Sequence, residues 1–147
     1  MKNLMNDRFF LDTNLIVYLF DKKDSRKRGI AQGLLKEALD EGNGIISFQV
    51  IQEFCNVALK KFEVPLTPDD LKSFITRFLY PICAVVPSLE IYNHTVEICK
   101  SFGFGFYDSL IIAAAREANC SILYSEDLQN GQQVLGINII NPFLSAN

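Results

Sequence analysis

At 147 residues the chain has the size of one domain, read here as spanning 1–147. A chain near ~150 residues removes roughly 68–70% of its unfolded surface from water, so folding needs neither disulfide nor metal staples. With 49% hydrophobic and 21% charged residues the composition excludes a disordered chain, and a net charge of −3 excludes nucleic-acid binding by bulk positive charge alone.

The run Phe9-Phe10-Leu11, ending at Asp12, predicts a short buried parallel strand. Residues 15–20 read as a short helix, followed by the charged stretch 22–28. Ser25 is the expected N-cap of a helix over 26–41, with apolar positions at Ile30, Leu34, Leu35, Ala38 and Leu39. Residues 45–47 form a second strand and 49–62 a helix with Val50, Ile51, Phe54, Cys55 and Ala58 on one face. Thr67-Pro68-Asp69-Asp70 signals a helix start, and that helix runs to Tyr80 before Pro81. Strand 82–86, a helix from Ser88 to Phe102, a helix over 107–119, and strands 121–124 and 137–140 complete the chain. Short apolar strands alternating with longer helices give an α/β fold, a mostly parallel central sheet with helices on both faces. In such sheets function collects at the carboxyl ends of the strands.

Cys55, Cys83, Cys99 and Cys120 contain no CxxC pair, and His94 is the sole histidine, so a Cys/His zinc site is excluded and the thiols read as small buried side chains. Residues 1–7 are polar, and no stretch reaches the ~20 apolar residues of a membrane span. The expectation is a soluble, cytoplasmic protein with no membrane partner. Phe102-Gly103-Phe104-Gly105-Phe106 is not a GxGxxG dinucleotide motif. The haloacid-dehalogenase pattern wants a second Asp two residues after the first, where Asn14 stands.

The acids are more informative. Asp12 follows the first strand, and serves there either as a helix N-cap or as a metal ligand. Asp108 opens a late helix on the same face as Ile111, Ile112 and Ala115, an unusual place for a carboxylate. Asp127 follows the fourth strand, where neighbouring Glu126 competes for the same role. Glu53 points roughly 140° from the centre of its helix's apolar face, at about 100° per residue, so periodicity reads it as a surface glutamate or the wall of a cleft. Converging carboxylates need a counter-ion, and an oxygen-only set suits Mg²⁺ or Mn²⁺. The natural chemistry is phosphodiester hydrolysis, with Thr13, Asn14 and Ser125 positioning water or carboxylates. Lys22, Lys23, Arg26, Lys27 and Arg28 form either a solvated helix approach or a phosphate contact, which Lys60 and Lys61 extend.

Phe10-Leu11-Asp12-Thr13-Asn14, Gln52-Glu53-Phe54, Tyr107-Asp108-Ser109-Leu110-Ile111 and Ser125-Glu126-Asp127, in this order and spacing, resemble the PIN-domain family of metal-dependent ribonucleases, above all its small VapC-type toxins. The resemblance implies that Asp12, Glu53, Asp108 and Asp127 bind a divalent metal, and it is the resemblance that lifts Glu53 out of the surface reading. It also implies an endoribonuclease acting on RNA, an antitoxin partner and a homodimer. Apolar helical surface around 34–39 and 74–78 serves either such an interface or the core. The alternative is a non-catalytic PIN-like module that binds RNA or protein.

Overall fold

Phe9, Phe10 and Leu11 are all buried, as a strand covered on both faces requires. The structure is a computed structural model that describes residues 8–144, so the polar start at 1–7 lies outside the described residues. The elements are β1 (Phe9–Leu11), α1 (Thr13–Val17) with a 3-10 turn (Tyr18–Phe20), α2 (Ser25–Glu41), β2 (Gly44–Ser47) and α3 (Phe48–Lys60). Next come α4 (Pro68–Phe74), continued by a π turn (Ile75–Leu79) and a 3-10 turn (Tyr80–Ile82), then β3 (Cys83–Val85) and α5 (Leu89–Phe102). The chain closes with α6 (Phe106–Glu117), β4 (Ile122–Tyr124), β5 (Gln133–Val134) and β6 (Ile137–Ile140).

The six strands lie in the order β3-β2-β1-β4-β6-β5, parallel throughout except for β5 against β6. From β1 the chain moves outward to β2 and β3, then returns past β1 to β4. The strand order therefore reverses at the β1/β4 pair, which opens a crevice at the carboxyl ends of those two strands. Asp12 leaves β1, and Ser125 leaves β4, side by side at this point.

Several local expectations are corrected. Asp24, not Ser25, caps α2, because its carboxylate reaches the Lys27 amide at 2.9 Å while Ser25 is already helical. Helix α1 begins at Thr13, earlier than residue 15, because the Asp12 side chain accepts from the Thr13 amide and so starts the turn there. The helix expected to reach Tyr80 loosens after Phe74 into π and 3-10 turns, and Pro81 sits inside the last of these. Strand β5, two residues long, carried no periodic signal. Leu35 and Ala38 are buried, and Leu34, Leu39 and Phe74 pack on the core, so most of the apolar surface at 34–39 and 74–78 belongs to the core. Gly44 is required by close approach: a Cβ there would stand 2.3 Å from the Ala38 Cβ and 2.7 Å from the Phe9 ring. No single helix among the described residues is long and apolar enough to cross a membrane.

Candidate functional site

Asp12 is buried, with 7% of its surface exposed. One carboxylate oxygen, Oδ1, accepts from the Thr13 amide at 2.7 Å, and Oδ2 accepts from the Ser125 hydroxyl at 2.7 Å. The two readings of Asp12 are thus compatible, since one oxygen caps α1 while the other faces β4. Burial pushes its pKa up to about 6. The Ser125 and Thr13 hydrogen bonds oppose that shift, and the charges of Asp127 and Glu53 reinforce it.

Glu53 is half-buried rather than a surface residue. Helix α3 packs against α1, so its polar side faces the start of α1 at the sheet edge. There the Thr13 hydroxyl donates to Glu53 Oε1, and Gln49 Nε2 donates to Oε2 at 3.2 Å. The same Gln49 nitrogen donates to the Tyr107 carbonyl at 3.2 Å, which ties α3 to the start of α6. Gln49 escaped sequence reasoning. Its one legible signal is the i, i+4 spacing to Glu53 on a shared helix face.

Asp108 stands in the first turn of α6. That turn, Phe106, Tyr107 and Asp108, is exposed, whereas Ser109 through Ala115 are all buried. The helical wheel put Asp108 on the apolar face, but the helix has not yet entered the core at that point. Partial desolvation raises its pKa, and Asp127 and Glu53 raise it further. Asp127 is exposed, and its amide donates to the Ser125 hydroxyl at 3.2 Å, so Ser125 orders both Asp12 and the Asp127 turn. The Asn14 amide atoms are buried without a hydrogen-bond partner among the described residues.

Asp12 and Asp108 each feel the charges of Asp127 and Glu53, and none of the four is ion-paired among the described residues. The three ion pairs among the described residues, Lys23–Glu63, Lys27–Glu126 and Lys36–Asp40, use other acids. Like charges held together without a cation are what a divalent ion would relieve, and carboxylate and hydroxyl oxygens are the donors that Mg²⁺ or Mn²⁺ prefers. Among the described residues no three of these acids are already drawn into one ligand shell. The donor chemistry fits such an ion; the side chains would have to close around it.

Glu126 is committed elsewhere. It accepts from the Tyr18 hydroxyl at 2.6 Å and pairs with Lys27, whose own pKa is raised by that contact. Arg26 donates to the Phe143 carbonyl at 2.9 Å and Arg28 to the Asp21 carbonyl at 2.8 Å. Of the basic segment only Lys22 and Lys23 stay fully exposed and unanchored by hydrogen bonds from their side chains. The cysteines are free thiols, and burial raises the pKa of Cys55, Cys83 and Cys120, the last to about 12. A groove lined by Val17, Phe20, Lys22, Lys23, Lys61 and Phe62, among others, includes none of the four carboxylates.

A comparison with curated proteins finds no significant match. Among solved structures the fold is similar to the VapC20 toxin of Mycobacterium tuberculosis, a sarcin-ricin loop cleaving toxin, at 19% identity and TM-score 0.61, covering 81% of this chain and 89% of that one. It is similar to a toxin-antitoxin complex from Klebsiella pneumoniae at 18% identity and TM-score 0.64, covering 90% of this chain and 96% of that one. DNA-bound VapBC from Salmonella typhimurium matches at 21% identity and TM-score 0.62, with the same coverage of 90% and 96%. Residues 9–130, a span that runs from β1 past β4 and contains all four carboxylates, match the PIN domain family, and the chain belongs to that family.

Proposed function

We propose that the chain is a Mg²⁺- or Mn²⁺-dependent endoribonuclease that hydrolyses RNA phosphodiester bonds, acting as the toxin of a toxin–antitoxin pair. The observation that carries this reading is the hydrogen-bonded chain at the β1/β4 edge, in which Ser125 holds Asp12 and the Asp127 turn, Thr13 holds Glu53, and Gln49 joins Glu53 to the Tyr107 carbonyl next to Asp108. Asp12, Glu53, Asp108 and Asp127 would hold the metal. A divalent ion bound there supplies charge neutralisation at phosphate oxygens and a water of lowered pKa. Ser125 and the Thr13 amide orient Asp12; the Thr13 hydroxyl and Gln49 orient Glu53. Asn14, two residues after Asp12 and with its amide atoms buried, would position water or carboxylates. Exposed Lys22 and Lys23 supply phosphate contact, whereas Arg26, Lys27 and Arg28 hold the fold.

Two partners accompany this reading, an antitoxin whose basic side chain enters the acidic crevice and a second copy of the chain. The similar structures that are toxin-antitoxin complexes support the first. The deciding experiment is incubation of mixed RNAs with the protein in EDTA, Mg²⁺ or Mn²⁺. Cleavage in either metal and none in EDTA is expected. Binding without cleavage in both metals would instead make the chain a non-catalytic PIN-like module.

A further inference from the structure

Glu126 and Asp127 are adjacent acids that compete in the sequence for one role, and the fold sends their side chains to different places. Glu126 Oε1 accepts from the Tyr18 hydroxyl at 2.6 Å, and Oε2 pairs with Lys27. Lys27 also donates to the Tyr18 hydroxyl at 3.1 Å, so the three side chains close a ring of polar contacts. The Tyr18 ring is itself packed edge-on against Phe143 at 4.9 Å between centroids. Asp127 is exposed and has no ion pair among the described residues.

The result is a two-point attachment of the turn that carries Asp127. Asp12 stands at the N-cap of α1, and Tyr18 lies in the 3-10 turn that continues this helix. Asp12 holds the Ser125 hydroxyl at 2.7 Å and Tyr18 holds Glu126, so consecutive residues of the turn are tied to opposite ends of one helical segment. A turn fixed by the Ser125 side chain alone could pivot about that contact; the second tie removes the rotation. The Ser125 amide donates to the Ile140 carbonyl at 3.0 Å, and Leu128 is buried. Restraint is needed here because Asp12 and Asp108 both feel the Asp127 charge, and without a cation that repulsion drives an exposed carboxylate outward. The Lys27 ammonium also neutralises Glu126, which keeps another carboxylate from joining the repulsion.

We propose that Glu126, held by Tyr18 and Lys27, is a positioning residue that fixes the turn so that Asp127, and not Glu126, meets the metal. This role rests on the metal-dependent ribonuclease reading above.

Binding of Mn²⁺ alone to the full chain, followed by calorimetry, tests it. Tyr18→Phe removes one hydroxyl and keeps the ring against Phe143. It should raise the Mn²⁺ Kd about 10–100-fold, as loss of a group that orients a metal ligand does, and lower kcat for RNA cleavage with KM unchanged. Glu126→Ala should do the same, whereas Glu126→Gln, whose amide oxygen still accepts from the Tyr18 hydroxyl, should recover most of the affinity. An unchanged Mn²⁺ Kd in both Tyr18→Phe and Glu126→Ala overturns the positioning role, and wild-type cleavage in Mn²⁺ then leaves the nuclease reading intact. A lowered melting temperature with that unchanged Kd makes the ring of contacts purely structural, which overturns the role as well. Tighter Mn²⁺ binding in Tyr18→Phe, with loss in Glu126→Gln, would make the released Glu126 carboxylate the ligand and also overturns it. Failure of the wild type both to bind Mn²⁺ and to cleave RNA removes the metal-dependent reading itself, and this role with it.

Discussion

Two charged regions of the molecule are resolved in opposite ways. At the start of α2 the charges are closed on themselves. Lys27 pairs with Glu126, donates to the Tyr18 hydroxyl at 3.1 Å and lies 4.7 Å from the Tyr18 ring centre and 5.1 Å from that of Phe143. Arg26 and Arg28 are spent on backbone carbonyls. At the β1/β4 edge Asp12 and Glu53 are held by hydroxyls and amides, Asp108 and Asp127 add charge beside them, and none of the four has an ion-pair partner among the described residues. The first region is electrostatically satisfied and holds the chain end and the α1–α2 connection together. The second carries an uncompensated negative charge, which a fold gives up stability to maintain. The two regions differ in the sign of the local imbalance, not in the density of charge.

The comparison breaks most directly by neutralising one side chain in each region. Asp12→Asn should lower metal-dependent RNA cleavage by about a thousandfold, since a lost metal ligand removes several kcal/mol of transition-state stabilisation at roughly tenfold per 1.4 kcal/mol. Arg26→Gln, measured in the same cleavage assay, should leave most of the turnover in place, because Arg26 is held on the Phe143 carbonyl. Retained activity in Asp12→Asn would show that the acids do no chemistry.

The next effect is thermodynamic. In EDTA, Asp108→Asn should melt at or above wild type, because it removes one of the mutually repelling charges. With Mn²⁺ at a hundredfold excess over its Kd, wild type should gain about 2.7 kcal/mol and the variant much less, so the order inverts. The same melts followed against pH test Asp12. Its folded-state pKa, about 6, lies above the ordinary ~3.9 of an unfolded aspartate, so the folded protein binds that proton more tightly. The contribution is fully present below about pH 4 and is lost as pH rises through about 6, by up to ~3 kcal/mol in EDTA. Asp12→Asn should flatten this slope.

Ser125→Ala sharpens the picture inside the acidic region. It strips one hydrogen bond from a buried carboxylate and loosens the Asp127 turn, so activity should fall about 10–100-fold in steady-state assays. The smallest effect belongs to the clamp. Lys27→Met leaves Glu126 with Tyr18 alone and should cost about 1 kcal/mol in denaturant unfolding, between the values for exposed and buried pairs, while RNA affinity stays unchanged. A loss of affinity with stability intact would return Lys27 to the phosphate-contacting role.

The alternation of short apolar runs with amphipathic stretches was enough to specify a mostly parallel α/β sheet, because strands covered on both faces are predominantly apolar. Asp12 and Asp127 were legible for the same reason, since polar residues directly after buried strands fall at the carboxyl edge. The pairing of β1 with β4 was not legible, because nothing local records which strands become neighbours. That pairing sets Ser125 against Asp12. Glu53 shows the limit of periodicity: a helical wheel measures only distance from the apolar face, and cannot tell open solvent from a cleft built by another helix. Asp108 shows the converse, a residue on the apolar side of the wheel whose helix turn lies outside the core. Lys27 read as a solvated or phosphate-contacting charge and Glu126 as a rival of Asp127, because the partner of each lies about a hundred residues away along the chain and only the closed fold brings them within reach. Sequence by itself determined most of the elements, the core strands other than β5 and the inventory of acids, because these follow from side-chain polarity at fixed local spacing. Which charges meet and which find a counter-charge was decided by tertiary structure, because Coulomb and hydrogen-bond energies depend on distances through space that no local pattern encodes.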